Sequence, residues 1–197
     1  MKKPTLILLS LFILFSLSSV FYNVSDNEVS QNNSIEKELK SSGPVVLEWT
    51  RYWGGDQYDI GRSLITDSNG NIIVLGQTDS FGSDYNMFLI KYNPDGEVIW
   101  NSTIIVGGDD WPQTIALDSL ENIYVVGYSS SGTFPDIDQN MFLFKFNSSG
   151  NLLWSTTWGG AEPDYGEEIV IDSFDNVYIA GKTYSYGAGS SDAFIIK

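Results

Sequence analysis

Acidic residues recur in the polar loops of this chain, and they are its first candidates for chemistry. Aromatic residues such as Tyr58, Tyr85 and Trp111 lie among them. Carboxylates interleaved with exposed aromatic rings can bind a sugar, a cation or a basic peptide. The alternative, which the general polarity of loops favours, is a solvated rim that keeps the protein soluble. The candidate ligand-binding residues are Asp56, Asp59, Asp84, Asp109, Asp110, Asp138, Asp164 and Asp192.

A second group of carboxylates follows the stricter spacing Asp-x-x-x-Asn. The pattern occurs at Asp67/Asn71, Asp118/Asn122 and Asp172/Asn176. Carboxylate and amide oxygens at alternate positions suit calcium, and the DSNGN turn of the first pair comes closest to a calcium loop. An EF-hand loop is longer, however, and carries a distant bidentate Glu that does not follow here. Asp and Asn also cap tight turns, so the pattern favours a structural turn.

The chain contains no cysteine and no histidine. This excludes disulfides, thiolate nucleophiles, histidine general bases and nearly every zinc site that a protein builds. Neighbouring acids such as Asp109 and Asp110 are poor evidence for a glycosidase, because adjacent residues on a strand point to opposite faces. We therefore predict no enzymatic activity, no catalytic residue, no metal site and no cofactor.

The elements that position these residues come from a sixteen-residue phrase that occurs three times, starting at Ser63, Thr114 and Glu168. Its central Asp and its closing Gly both recur at steps of 51 and 54 residues. Runs rich in Val, Ile, Tyr, Phe and Trp alternate with turn residues, which predicts antiparallel strands joined by hairpins. The innermost strands are predicted at 62–67, 114–118 and 168–172. A period near fifty residues with four strands per unit is typical of propeller blades, so the predicted fold class is all-β.

Three further motifs accompany this phrase. They are W-G-G at 53–55 and 158–160, F-x-x-K ending at Lys91, Lys145 and Lys197, and G-x-x-x-W at 96–100 and 150–154. Together they make residues 48–197 resemble the SBBP-type beta-propeller repeat of secreted and cell-surface proteins in bacteria and archaea. Val106 departs from the W-G-G motif, and Leu120-Glu121 replace the Asn-Gly of the first hairpin. The resemblance implies a fold and a location, and no defined reaction.

The register of the repeats determines how many blades can form. Residues 45–53 are predicted to be an outer strand, because Trp49 aligns with Trp100 and Trp154. The last unit ends after three inner strands, so the opening strand could complete it. Closed propellers usually have about four to eight blades. We therefore predict that residues 45–197 form three blades of a partial, open or fragmentary propeller, or half of a six-bladed ring made by two chains.

The N-terminal part predicts export. Residues 1–22 combine a positive start with an apolar run, which is typical of a signal peptide or an N-terminal membrane anchor. Residues 23–44 are polar and predict a flexible spacer. We expect the domain to be extracellular, either secreted or anchored to the outer face of the cell membrane. The formal charge of −15 argues against nucleic acid as a partner.

Three functions follow from these observations. The first is an exported, non-enzymatic propeller module that binds a protein, a carbohydrate or a cation through its acidic loops, with a homodimer as one possible assembly. The second is an architectural repeat segment, or fragment, of a larger cell-surface protein. The third is a propeller hydrolase or lyase, or a quinoprotein remnant, because the G-x-x-x-W pairs also resemble part of the tryptophan-docking motif of quinoprotein dehydrogenases.

Overall fold

The computed structural model describes residues 47–82, 84–105, 108–131 and 138–197, of which 131 and 138 are described for the backbone alone. The predicted signal or anchor at 1–22 and the predicted spacer at 23–44 lie outside the described residues. All regular elements of the described part are β-strands, which confirms the all-β prediction. That part of the chain contains no apolar helix long enough to cross a membrane.

The described strands form three antiparallel sheets, which we call blades 1, 2 and 3 in chain order. Blade 1 contains β1 (Asp59–Thr66), β2 (Ile72–Thr78), β3 (Asn86–Tyr92) and β4 (Val98–Ile104). Blade 2 contains β5 (Asp110–Leu117), β6 (Ile123–Ser131), β7 (Asp138–Phe146) and β8 (Leu152–Trp158). Blade 3 contains β9 (Asp164–Ile171), β10 (Val177–Thr183) and β11 (Asp192–Ile196). Within each blade the strands lie side by side in chain order. The three blades form a partial propeller that does not close into a ring.

The predicted outer strand at 45–53 is wrong for its described part, because residues 47–53 belong to no sheet. The segment instead lies against blade 1. The Trp49 indole donates to the Pro94 carbonyl at 3.0 Å, and Arg51 Nε donates to the Gly96 carbonyl at 2.8 Å. Trp53 covers an apolar face of blade 1. This segment therefore shields the first blade and does not complete the third.

The hydrophobic core lies between the blades. Between blades 1 and 2, Leu75 and Leu89 are buried in one cluster with Val125 and Phe142. Between blades 2 and 3, a second cluster joins the other face of blade 2, including Val126 and Met141, to Ile169 and Ile179. Because both faces of blade 2 are apolar, this sheet is stabilised only when a neighbour covers each face.

Close packing explains the glycine near the end of each repeated phrase, which closes its second apolar run. The glycines pair across the sheet with the Phe of the F-x-x-K motif, as Gly76 with Phe88, Gly127 with Phe142 and Gly181 with Phe194. A Cβ atom at Gly127 would lie 2.7 Å from Cζ of Phe142 and 2.3 Å from the Trp111 carbonyl oxygen. The missing side chain therefore makes room for the ring on the neighbouring strand.

The G-x-x-x-W motif connects successive repeats. Gly96 and Gly150 have positive φ values of 76° and 79°. A Cβ atom on Gly96 would lie 2.9 Å from the Trp49 ring, and one on Gly150 would lie 2.9 Å from the Trp100 ring. The tryptophan of one repeat therefore packs on the hairpin glycine of the next repeat.

In each blade a turn joins the first two strands, and hydrogen bonds connect this turn to the equivalent turn of the neighbouring blade. Glu121 and Asp175 have positive φ values of 63° and 60° at the turn position that Gly70 occupies in blade 1. Glu121 Oε1 accepts from the Ser68 N–H at 2.9 Å. The Asp175 carboxylate accepts from the Ser119 N–H at 2.8 Å and from the Ser119 hydroxyl at 2.6 Å. Contacts between blades thus hold an unfavourable backbone conformation in place.

We expect Ser119→Ala to lower the free energy of unfolding by about 1 kcal/mol, because the hydroxyl bond to Asp175 is lost. Ser173→Ala is the matched control, since Ser173 has the same turn position, is exposed and has no partner among the described residues. Its effect is expected to stay within about 0.5 kcal/mol. Urea unfolding followed by tryptophan fluorescence measures both. Equal losses in the two variants would contradict a contribution from the contact between blades.

Candidate functional site

The Asp-x-x-x-Asn turns are closed by their own hydrogen bonds. Asp67 Oδ1 accepts from two backbone N–H groups of its turn, each at 2.9 Å. Its Oδ2 accepts from Asn71 Nδ2 at 2.8 Å and pairs with the Lys91 ammonium at 2.8 Å. Blade 2 repeats this ion pair between Asp118 and Lys145 at 3.1 Å. These carboxylates close turns. The described residues include no cluster of three or more acidic, histidine or cysteine side chains that could hold a metal ion.

The third turn keeps the tyrosine bond that Tyr124 makes to Asp118 in blade 2, and its aspartate has no lysine ion pair among the described residues. The Tyr178 hydroxyl donates to Asp172 Oδ2 at 3.1 Å, and the Lys197 ammonium lies over the Tyr178 ring. The hydrogen bond from the Asn176 side chain contributes most to lowering the pKa of Asp172, which falls from 3.8 to about 2. This carboxylate is therefore ionised at neutral pH, and the hydrogen bonds of the turn favour that ionised form.

Three of the eight candidate aspartates begin the innermost strands of the blades: Asp59, Asp110 and Asp164. Asp59 Oδ2 accepts from the Gly55 N–H at 2.9 Å and the Ser80 hydroxyl at 2.8 Å. Asp164 Oδ2 accepts equivalent bonds from the Gly160 N–H at 2.8 Å and the Ser185 hydroxyl at 2.7 Å. Asp110 and Asp164 are fully buried. Asp59 and Asp164 thus connect the W-G-G loop to the loop after the second strand.

The other five candidates lie at different depths. Asp56 and Asp84 are exposed, and Asp192 is half-buried at the start of β11. Asp138 begins β7, but its side chain lies outside the described part of the chain. Asp109 is half-buried, and its Oδ1 accepts from the Tyr85 N–H at 3.1 Å, which connects blade 2 to blade 1. Ligand binding by these residues stays a prediction.

A cavity of about 350 Å³ opens between blades 1 and 2. Its lining combines three aromatic rings with one cation, one amide and one aliphatic side chain: Tyr58, Tyr85, Trp111, Arg62, Gln77 and Ile60. Arg62 Nη2 donates to Gln77 Oε1 at 2.7 Å, so the two polar groups orient each other. The cavity therefore offers aromatic faces beside a fixed guanidinium group.

A row of aromatic rings extends from this cavity to blade 3. Trp111 stacks on Tyr128 at a centroid distance of 5.2 Å, and Tyr128 meets Tyr165 edge-on at 4.6 Å. Tyr184 follows at 6.2 Å from Tyr165. We call these four rings the aromatic strip. Burial raises the pKa of Tyr128 and Tyr165, so both phenols are neutral at physiological pH.

A β-bulge leaves one polar residue unpaired in the innermost strand of every blade. The unpaired residues are Arg62 in β1, Gln113 in β5 and Glu167 in β9, at equivalent positions of the three innermost strands. Bulges redirect side chains and are common beside binding sites. Arg62 and Gln77 were not among the predicted site residues, because they lie within strands. The sequence does contain a signal for the bulges, because a polar residue precedes the repeated phrase at the same position in each unit: Arg62, Gln113 and Glu167.

Comparison with known proteins relates the sequence of this chain to other repeat proteins. The SBBP beta-propeller repeat matches residues 48–82, 102–135 and 153–187. An uncharacterised WD repeat-containing protein of Acanthamoeba polyphaga mimivirus is 26% identical over 140 residues, which is 71% of this chain and 8% of that protein. The chain therefore spans less than a tenth of the length of this relative.

Proposed function

Because the chain belongs to the SBBP beta-propeller repeat family, we propose that its blades form an exported, non-enzymatic binding module. Support for export comes from the signal-like residues 1–22. The module is secreted or anchored to the outer face of the cell membrane. Its ligand binds where the innermost strands of neighbouring blades meet the acidic loops.

The cavity between blades 1 and 2 is the observation that carries this proposal. Its volume of about 350 Å³ falls within the range of ligand pockets. Trp111 and Tyr58 supply the large, partly exposed rings that anchor ligands at binding sites. Among the described residues, the lining includes no carboxylate, which supports binding over acid–base catalysis.

The acids of the surrounding loops form the rim of this site in the proposal. Asp56 lies two residues before Tyr58, Asp84 lies next to Tyr85, and Asp109 accepts a hydrogen bond from the Tyr85 backbone. Charges at a rim mainly affect the rate of association and the choice of partner, and contribute less to affinity than buried anchors. We therefore expect the aromatic residues to dominate binding and the acids to modulate it.

We expect Trp111→Ala to weaken ligand binding at least about tenfold, because a buried aromatic anchor contributes about 2 kcal/mol or more. The full-length protein is first applied to arrays of glycans and of peptides, and the bound probe is then titrated calorimetrically. Phe174→Ala is the control, because Phe174 is an aromatic residue with 85% exposure in the turn between β9 and β10. If no probe binds in a Trp111-dependent manner, the proposed function is wrong.

A second candidate, a segment of a larger surface protein, is favoured by a different observation. The WD repeat-containing relative matches this chain over only 8% of its own length. Blade 3 also has three strands in the described part of the chain, where blades 1 and 2 have four. The solution mass of the purified protein tests both this candidate and a six-bladed homodimer. A stable dimer supports the ring, a stable monomer contradicts it, and aggregation of a soluble preparation supports the segment.

A further inference from the structure

We propose that the ligand of this face is an acidic oligosaccharide, whose carboxylates bind Arg62 and Lys182 and whose sugar rings lie on the aromatic strip. This inference rests on the proposed function and names the ligand class of the same site. It is carried by the charges and rings that the blades place together.

The first observation is that Arg62 and Lys182 form no ion pair with a described residue, although acids outnumber basic residues by 25 to 10 in the whole chain. The ion pairs among the described residues are Lys91 with Asp67 and Lys145 with Asp118. The two remaining cations of this part are bound elsewhere: Arg51 to hairpin carbonyls and Lys197 over Tyr178. Within the described part of the chain, Arg62 and Lys182 are held only by neutral groups, the Gln77 amide and the rings of Tyr165 and Tyr184, and unlike Arg51 and Lys197 they lie beside the aromatic strip.

The second observation is the position of these two cations at opposite ends of the aromatic strip. Arg62 lines the cavity together with Trp111, the first ring of the strip. Lys182 pairs with Tyr165 across the sheet, and its ammonium lies 4.6 Å from the Tyr165 centroid and 5.5 Å from that of Tyr184. Both side chains are exposed. A ligand that lies along the strip therefore meets a cation at each end.

The chemistry of the strip selects among ligands. Sugar rings present apolar C–H faces that pack on aromatic rings, while their hydroxyl groups need hydrogen-bond partners such as Gln77. A guanidinium group binds a carboxylate through two parallel hydrogen bonds, and an ammonium binds it as a point charge. An oligosaccharide of uronic acids combines all three features. A basic peptide would instead place its cations against Arg62 and Lys182.

Glu167 provides a test of the sign of the ligand charge. It is the bulge residue of β9 and is exposed. Its negative charge lies close enough to Tyr128 to help raise the pKa of that phenol, after the larger effect of burial. An acidic ligand on the strip is repelled by Glu167, whereas a cationic ligand is attracted. The rim acids Asp56, Asp84 and Asp109 also repel an acidic ligand at the cavity end of the strip, so we expect its carboxylates to bind only where Arg62 and Lys182 lie.

The experiment titrates the full-length protein with oligosaccharides of galacturonic, glucuronic and mannuronic acid, each paired with its carboxyl-reduced, neutral counterpart. We expect at least one acidic probe to bind, and its neutral counterpart to bind at least about tenfold more weakly. Binding that is equal for both members of every pair, or no binding of any acidic probe, would overturn the inference.

Variants locate the contacts of the bound acidic probe. Arg62→Gln and Lys182→Gln are each expected to weaken binding about tenfold, and Glu167→Gln to tighten it about threefold. Arg51→Gln, which removes an arginine from the segment that covers blade 1, is the control and leaves binding unchanged. Weaker binding in Glu167→Gln would indicate a cationic ligand. A Trp111-dependent ligand without carboxylates would refute this inference and leave the proposed function intact.

Discussion

Gly127→Ala is expected to lower the free energy of unfolding by about 3 kcal/mol or more. The added methyl group would lie 2.3 Å from the Trp111 carbonyl oxygen and 2.7 Å from Cζ of Phe142. Both neighbours are held by strand pairing inside blade 2, and Phe142 is fully buried between blades 1 and 2. Neither can move without disturbing a sheet, so the overpacking energy belongs to the upper part of its usual range.

Gly61→Ala is the matched control for this substitution. Gly61 also lies in a strand, but a Cβ atom there would have no heavy atom within 4 Å. We expect a change within about 0.5 kcal/mol. Urea unfolding followed by tryptophan fluorescence gives both values. Similar losses at Gly61 and Gly127 would show that strand propensity, and not packing against Phe142, determines the glycine.

Asp67→Asn is expected to lower the free energy of unfolding by about 3 kcal/mol. The substitution preserves the shape of the turn but removes the charge that pairs with Lys91. The side chains of Lys91 and Asp67 are only 9% and 1% exposed, so the ammonium would remain buried without a counter-charge. Asp172→Asn is the control with a smaller expected loss, because Tyr178 and Asn176 contact that carboxylate. Equal losses would contradict the contribution of the ion pair.

A double substitution separates the ion pair from the turn. Adding Lys91→Met to Asp67→Asn removes the unpaired ammonium, so we expect it to restore part of the lost stability. If the double variant is less stable than Asp67→Asn, the buried charge is not the cause of the loss.

The Asp67 carboxylate also makes the free energy of unfolding depend on pH in the acidic range. Burial raises the pKa of Asp67, but the bonds from Lys91 and Asn71 lower it more, to about 2 against an ordinary value of 3.8. A lowered pKa means that the folded state holds the ionised form more strongly than the unfolded state does. Its contribution is complete above about pH 5 and is lost as the pH falls from 4 through 2. Urea unfolding at several pH values across this range gives the free energy of unfolding. We expect that free energy to change less with pH in Asp67→Asn than in the wild type.

The first residues of the innermost strands show how far the sequence pattern predicts strand boundaries. The innermost strands were predicted to begin at Arg62, Thr114 and Glu168, and they begin a few residues earlier, at Asp59, Asp110 and Asp164. A bulge in each strand interrupts the alternation of apolar and polar residues. The pattern therefore identified each strand only from the bulge onward.

The acidic loops show a second limit. All eight candidate aspartates lie in similar loop contexts in the sequence, yet Asp110 and Asp164 are fully buried while Asp56 and Asp84 are exposed. The buried Asp164 bonds both to the loop before the inner hairpin of its blade and to the loop after it. Those loops are more than twenty residues apart, so their contact is not visible in local spacing.

The sequence by itself determined the all-β fold, the three repeats and the turn chemistry, because these depend on periodicity and on short-range hydrogen bonds. Only the tertiary structure decided where the opening segment lies, which aspartates are buried, and that Trp111, Tyr128, Tyr165 and Tyr184 form one strip. The physical reason is that each of these features is made by contact between blades about fifty residues apart. Such contacts depend on side-chain shape at the blade surfaces, which a repeating pattern does not specify.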